Sequence, residues 1–376
     1  MTESTDDTYE SNVAELLDAL KPGVSLLDAA RSAGGMFPAE LQRRLRDRGF
    51  KFSRGTSGRA AYKPPAYNPE LHALDGEWYF TESTSAMLAE FLGPGRVYLL
   101  GTPTVAAAMS GADVVLVDRS PFICDRFRFL DRAVKVVTSN IEDTDVALGA
   151  DRVLLDPPWY YPQLAQWFGL AAHALAPGGD ILLPLPGELT RPTARRERLA
   201  LLEIAAGVGD VELLPQVIEY DIPLFEQRAL DASGIQLEGP WRRADLVVVH
   251  ARSSINVPQV TQLSMPKDDQ WLTFVVGSQV VKLRARRVCK ESAGFIRPVA
   301  GLRDYLYDSV SRRDPRRAAI DLWTSRNRVA QVEDPATVEA MLADLQGDSD
   351  GLYKRAESLR AGHGSRADEL LQVLEV

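Results

Sequence analysis

Between residues 96 and 251 the chain alternates short apolar runs, rich in β-branched residues, with stretches of helical spacing. RVYLLG, DVVLVD, VKVVTSN, RVLLD and DILLPLP read as strands one to five, and TVAAAMSG, FICDRFRFLD and YPQLAQWFGLAAHALAPGG as helices among them. Runs that are apolar at every position suit strands covered on both faces. The pattern therefore predicts an α/β fold with a parallel, doubly wound sheet. RRERLALLEIAAGVG adds a helix, VELLPQVIEYD a sixth strand and ADLVVVHA a seventh. The last two strands close the pattern as a pair, so strand seven is expected to insert antiparallel beside strand six.

The flanks follow other rhythms. Residues 1 to 10 are polar and expected to be disordered. Val13, Leu16, Leu17 and Leu20 mark a first helix, Ser25 caps a second that ends at Gly34-Gly35, and Pro38 opens a third that stops at Gly49. With the extended FKFSRG and RAAYKPP after it, this region reads as a winged helix-turn-helix. Its third helix carries Arg43, Arg44, Arg46 and Arg48, as a groove-entering helix does. A small interaction domain, mediating a homodimer, fits the same pattern. A connector leads to a helix at about 82–92. Beyond Arg252, WLTFVVGSQVVKLRARR reads as a hairpin turning at Gly277-Ser278, LRDYLYDSVSRR as helical and IDLWTSRNRVAQV as extended. PATVEAMLADL and SRADELLQVLEV read as helices. The organisation expected is a winged-helix-like domain at 1–72, a Rossmann-like domain at 73–252 and a C-terminal α+β unit at 253–376.

Composition narrows the class. At 376 residues, 45% hydrophobic and 25% charged, the chain is an ordinary globular sequence with no apolar stretch near a membrane span. Its acidic start, MTESTDDTYE, shows no secretory or transit signal, and a cytoplasmic location is expected. Cys124 and Cys289 are isolated, and His72, His173, His250 and His363 are scattered, so neither a disulfide framework nor a metal centre is expected. The net charge of −9 disfavours general adhesion to nucleic acid. From Lys282 to Arg328, however, 13 Lys and Arg stand against 5 Asp and Glu. That segment is either a solvated, ion-paired surface or a phosphate-facing patch.

In an open parallel sheet the ligand sits outside the carboxyl ends of the strands. Gly101 follows strand one and leaves room for close approach to the backbone. Asp118 ends strand two, where a carboxylate commonly accepts both ribose hydroxyls. Strand three ends near Ser139 and Asn140, with Glu142, Asp143 and Asp145 beyond. Strand four ends in Asp156-Pro157-Pro158-Trp159-Tyr160-Tyr161. At the end of strand six lies YDIPLFEQRAL, whose Asp221, Phe225, Glu226 and Arg228 are candidates for shaping a substrate pocket.

This set, with the ALAPGG turn before strand five, resembles the class I S-adenosylmethionine-dependent methyltransferases over residues 80 to 252. Asp-Pro-Pro-Trp resembles in particular those that methylate an exocyclic amino group of adenine or, in a related form, of cytosine. The resemblance implies that Asp156 and the Pro157 carbonyl accept the two N–H hydrogens of the amino group, freeing its lone pair for in-line attack on the sulfonium methyl. It implies that Trp159 holds the substrate by stacking, with Pro158 beside it and Tyr160 or Tyr161 adding a second ring or a hydroxyl, while Phe225 and Glu226 are expected near the substrate from their sheet position alone. Gly101, Asp118 and Asn140 would hold S-adenosylmethionine. The partner would be nucleic acid, bound through the helix-turn-helix and the 282–328 segment. One departure is plain: the first loop, LLGTPTVAAAM, has Gly101 alone where such enzymes carry two or three glycines.

A second resemblance is to the branched-chain polyamine synthases, which transfer aminopropyl groups from decarboxylated S-adenosylmethionine. They too join a winged-helix-like domain to a Rossmann domain, end strand four on Asp-Pro-Pro-aromatic and lack the glycine loop. Their first loop is acidic, whereas Thr102, Pro103 and Thr104 are neutral here, leaving Glu142, Asp143 and Asp145 as the counter-charges for a polyamine. Three functions are therefore expected in turn: amino-group methylation, aminopropyl transfer, or ligand binding by a catalytically degenerate methyltransferase fold.

Overall fold

The computed structural model describes residues 5–21, 23–50, 69–110, 113–129, 134–144, 148–252, 271–285, 295–302, 304–312 and 314–376. The chain forms two compact units. The first comprises Met1–Ala60, Tyr79–Asp221 and Leu237–Leu263, and the second Ala61–Trp78, Ile222–Gln236 and Ser264–Val376.

The first unit opens with α1 (Thr5–Ala19), α2 (Leu26–Ser32) and α3 (Pro38–Asp47). The helix begins earlier than its composition suggests, because residues of the acidic start find partners. Tyr9 donates to the Leu189 carbonyl and Glu10 pairs with Arg44. Ser25 caps α2 by accepting from the Asp28 amide, and Pro38 occupies the first turn of α3. The wing expected after α3 lies largely outside the described residues. Of the four α3-region arginines, Arg43 pairs with Glu40 and Asp47, Arg44 with Glu40 and Glu10, and Arg48 with Asp18. Most of the positive charge that suggested a groove-entering helix is thus matched locally by carboxylates.

After α4 (Glu82–Leu92) comes the alternation read from the sequence: β1 (Arg96–Leu100), α5 (Pro103–Ala108), β2 (Asp113–Asp118), α6 (Pro121–Phe129), β3 (Val134–Thr138), β4 (Ala150–Leu155), α7 (Tyr161–Ala174), β5 (Leu175–Pro186), α8 (Ala194–Val208) and β6 (Gly209–Glu219). α9 (Leu224–Ala232), in the second unit, precedes β7 (Arg243–Ala251). The strands form one mixed sheet in the order β3-β2-β1-β4-β5-β7-β6. β7 runs antiparallel to both β5 and β6, as expected of the final strand pair. Val153, Leu154, Leu155, Leu182 and Leu183 are fully buried, and Leu164, Phe168 and Ala171 of α7 pack on one face. Each fully buried large apolar side chain contributes about 1.5–3 kcal/mol. That sum outweighs the small propensity differences among these residues, so the burial pattern fixes which segments become central strands.

The second unit is built on an antiparallel sheet of β8 (Trp271–Val276), β9 (Gln279–Arg284), β10 (Ile296–Pro298), β11 (Leu322–Thr324) and β12 (Val329–Val332), ordered β10-β12-β11-β9-β8. The hairpin at Gly277-Ser278 is as read from the sequence. α10 (Pro335–Leu345), α11 (Leu352–His363) and α12 (Ser365–Leu374) share a core with this sheet. In LRDYLYDSVSRR, expected as a helix, the described residues 304–312 form no helix. Asp304 and Tyr305 have φ of +47° and +62°, and Tyr305 and Tyr307 are both buried, so the segment uses an every-second-residue alternation.

The described cations of the 282–328 segment are engaged within the unit. Lys282 pairs with Asp75, Arg297 with Glu333, Arg316 with Asp308 and Asp314, Arg326 with Glu70, and Arg328 with Glu375. Arg284 stacks on Trp271 and Arg317 on Trp323. Arg286, Arg287, Lys290, Arg303 and Arg313 lie outside the described residues. No helix among the described residues is long and apolar enough to cross a membrane.

Candidate active site

Strand order reverses between β1 and β4, and in such sheets the crevice at the reversal receives the ligand. Two expected residues flank it. Leu100 pairs with Leu155, and the Asp156 amide donates to the Leu100 carbonyl at 3.2 Å, so Asp156 and Gly101 emerge side by side. Pro157 and Pro158 then stop the strand, and α7 begins at Tyr161.

Asp156 keeps part of its surface open to solvent, although protein surrounds it closely enough for desolvation to dominate its titration. Burial pushes its carboxyl up to about 7, while the Tyr220 hydrogen bond and the nearby Trp159 indole act in the opposite direction. The Tyr220 hydroxyl donates to Asp156 Oδ1 at 2.9 Å. Tyr220 itself is 1% exposed, and its phenol is driven well above the ordinary range by burial and then by the Asp156 charge. Sequence reading passed over Tyr220. It directly follows β6, 64 residues from Asp156, and its only signal was a buried aromatic at the end of a strand on the ligand side of the sheet.

The rings form a connected wall. Trp159 meets Tyr220 edge-on at 5.4 Å, and Tyr220 meets Phe80 at 5.0 Å. The Arg242 guanidinium lies over Trp159 at 5.2 Å and over Trp241 at 4.8 Å. One face of the indole expected to hold a flat substrate is therefore covered by a cation. Tyr160 is more open and lies under Arg191, whose partner is Glu197.

On the other side of the reversal, Asp118 is 6% exposed at the end of β2. Its Oδ1 accepts from the Ser120 amide, and burial raises its carboxyl. A sheltered carboxylate with a single backbone donor at this position suits the two hydroxyls of a ribose. Asn140 is tied to Asp143 through Nδ2 at 3.0 Å. Glu142 accepts from the Trp167 indole N–H at 2.7 Å, so this carboxylate is engaged rather than held ready for a cation. Gly101 has φ of +69°, and a Cβ there would stand 3.2 Å from the Trp167 ring. Its missing side chain makes room for protein packing, and the loop is not an open glycine cradle. Thr102 is buried with no hydrogen-bond partner for Oγ1 among the described residues. Phe225 and Glu226 are buried in α9 of the second unit, where Phe225 meets Trp78 edge-on at 5.6 Å.

No protein-family model and no curated protein matches the chain. Among solved structures, it is similar to the C9 mutein of the branched-chain polyamine synthase of Thermus thermophilus, in complex with N4-aminopropylspermidine and 5'-methylthioadenosine. The identity is 16%, the match covers 68% of this chain and 94% of that one, and the TM-score is 0.50. The branched-chain polyamine synthase of the same organism matches at 16% identity over 67% and 90% of the chains with a TM-score of 0.47. The N-methyltransferase NodS of Bradyrhizobium japonicum matches at 13% over 46% and 94% with a TM-score of 0.32. Sheet order, the antiparallel seventh strand and the first of these likenesses together give the chain the fold of the class I S-adenosylmethionine-dependent transferases.

Proposed function

We propose that this chain joins an alkyl group from an S-adenosyl sulfonium donor to an amine nitrogen, and that the acceptor is an aliphatic polyamine receiving an aminopropyl group. The observation that carries the reading is the half-buried Asp156 carboxyl at the strand reversal, one oxygen held by Tyr220 at 2.9 Å and its proton affinity raised by burial to about 7. An aliphatic ammonium has no lone pair until it loses a proton, and a carboxylate whose affinity for protons lies near the working pH takes it efficiently. An adenine amino group is neutral already and needs an acceptor rather than a base. Arg242 also covers one indole face on which a base would stack. The Thermus protein of the same fold, described with an aminopropylated polyamine and 5'-methylthioadenosine, agrees with this choice.

Asp118 fits the ribose hydroxyls of such a donor, by its position, its burial and its accepting oxygens. When bound, the sulfonium donor would supply an electrophilic carbon to the nitrogen, its C–S bond giving way to the new N–C bond and leaving the electron pair on sulfur. Asp156 takes the proton that the acceptor nitrogen sheds. The Tyr220 hydroxyl holds one carboxylate oxygen while it does so, and the Tyr220 ring is itself held between Phe80 and Trp159.

The neutral loop Thr102-Pro103-Thr104 favours a second reading, methyl transfer from S-adenosylmethionine to an amino nitrogen, because it offers no carboxylate to a cationic aminopropyl chain. The two separate by mass spectrometry. Incubation with decarboxylated S-adenosylmethionine and spermidine is expected to give 5'-methylthioadenosine and spermidine enlarged by one aminopropyl group. Methylation of an adenine-containing oligonucleotide from S-adenosylmethionine, with spermidine untouched, would replace the first reading by the second. Turnover of neither donor would leave a binding protein.

A further inference from the structure

Asp156 is a half-buried carboxylate whose side chain is bonded to a neutral donor. That donor is the Tyr220 hydroxyl, with the Trp159 indole beside its ring, and the described cation acting on Tyr220 is Arg242, from the segment before β7. Neutral donors orient a carboxylate without cancelling its charge, whereas a guanidinium in the same place would hold it ionised far below neutrality. Tyr220 is itself fixed at both ends. Its amide donates to the Arg242 carbonyl at 3.1 Å, and residues 80 and 220 form an antiparallel bridge. Its ring stands between Phe80 and Trp159. A phenol so placed has one location for its oxygen, 2.9 Å from Oδ1.

We propose that Tyr220 is a positioning residue for Asp156: its hydroxyl fixes Oδ1 and leaves Oδ2 for the proton of the acceptor nitrogen. The inference rests on the reading of Asp156 as the base for an amine. Because the phenol is held well above its ordinary range, it remains protonated and keeps donating wherever Asp156 titrates. Donation to Oδ1 favours the charged carboxylate, so loss of the hydroxyl must raise the proton affinity of Asp156. A residue that merely filled space would not move it.

The test is Tyr220→Phe in the full chain, which keeps the ring between its two neighbours. Asp156 is followed by ¹³C NMR titration of the carboxyl in the absence of any substrate, its signal assigned by comparison with Asp156→Asn. The titration is expected to move up by about one unit in Tyr220→Phe. From a midpoint near 7, kcat/KM then falls about fivefold at pH 7 and returns close to the parent value at pH 9. An unmoved titration, or a loss of rate equal at every pH, overturns the inference. A titration that moves in a chain transferring nothing from either donor would support the Asp156–Tyr220 pairing and defeat the proposed function. Transfer with an unmoved titration would do the reverse.

Discussion

The ring of Trp167 stands 3.2 Å from the point where a Cβ on Gly101 would lie. Trp167 cannot easily withdraw, since its indole N–H is bound to Glu142 at 2.7 Å and its α7 is packed on the sheet. Gly101 also has φ of +69°, a conformation that costs an L-residue about 1–2 kcal/mol. Gly101→Ala is therefore expected to destabilise the protein by about 1–3 kcal/mol, read as a lower urea midpoint with unchanged slope. A neutral or stabilising effect would show that the loop moves freely past Trp167.

His72 gives the second unit an acid sensitivity. It is 1% exposed, with Nε2 bonded to the Trp323 carbonyl and Nδ1 accepting from the Leu74 amide, a geometry that fits the neutral ring. Burial holds its pKa down to about 4. The unfolded chain, at about 6.5, then binds the proton more readily than the folded one. Its contribution is full above about pH 6.5 and is lost as pH falls towards 4, by about 3 kcal/mol in all. Subtracting the stability–pH curve of His72→Gln from that of the parent is expected to isolate this slope. Parallel curves would mean that His72 titrates normally.

Asp156 carries the opposite sign. Its folded pKa, raised to about 7 from an ordinary value of 3.8, makes the folded state the better proton binder between those limits. Stability is then fully present below about pH 4 and declines as pH rises through 7. Asp156→Asn, which removes the charge and keeps an acceptor for Tyr220, is expected to raise the melting temperature at pH 8 and have little effect at pH 4. A melting temperature lowered at pH 8 would contradict the burial of an ionisable group at this position.

Much of the first unit was legible because its central strands are apolar at nearly every position and end in chemically distinct residues, such as Asp118 and Asp156. Those strand ends depend only on local order. Tyr220 was not legible, because its role comes from a partner 64 residues earlier and the strand around it carries no motif. The 302–313 segment misled because Leu302, Tyr305 and Leu306 imitate helical spacing while the tyrosines actually alternate into the core. α11 escaped notice since only Ala356 and Leu359 of LYKRAESLRAGH are buried, too few to set a period. In the arginine-rich third helix the pairs of Arg43 and Arg44 with Glu40 and Asp47 follow helical spacing, whereas the contacts with Glu10 and Asp18 came only with the fold.

The claim that Asp156 takes a proton from an amine is tested most directly by the pH dependence of aminopropyl transfer to spermidine. With parent protein, kcat/KM is expected to climb through an apparent pKa near 7, and Asp156→Asn is expected to lose about a thousandfold together with that limb. An Asn variant that keeps the limb, or transfers within a few-fold of the parent, would contradict the account.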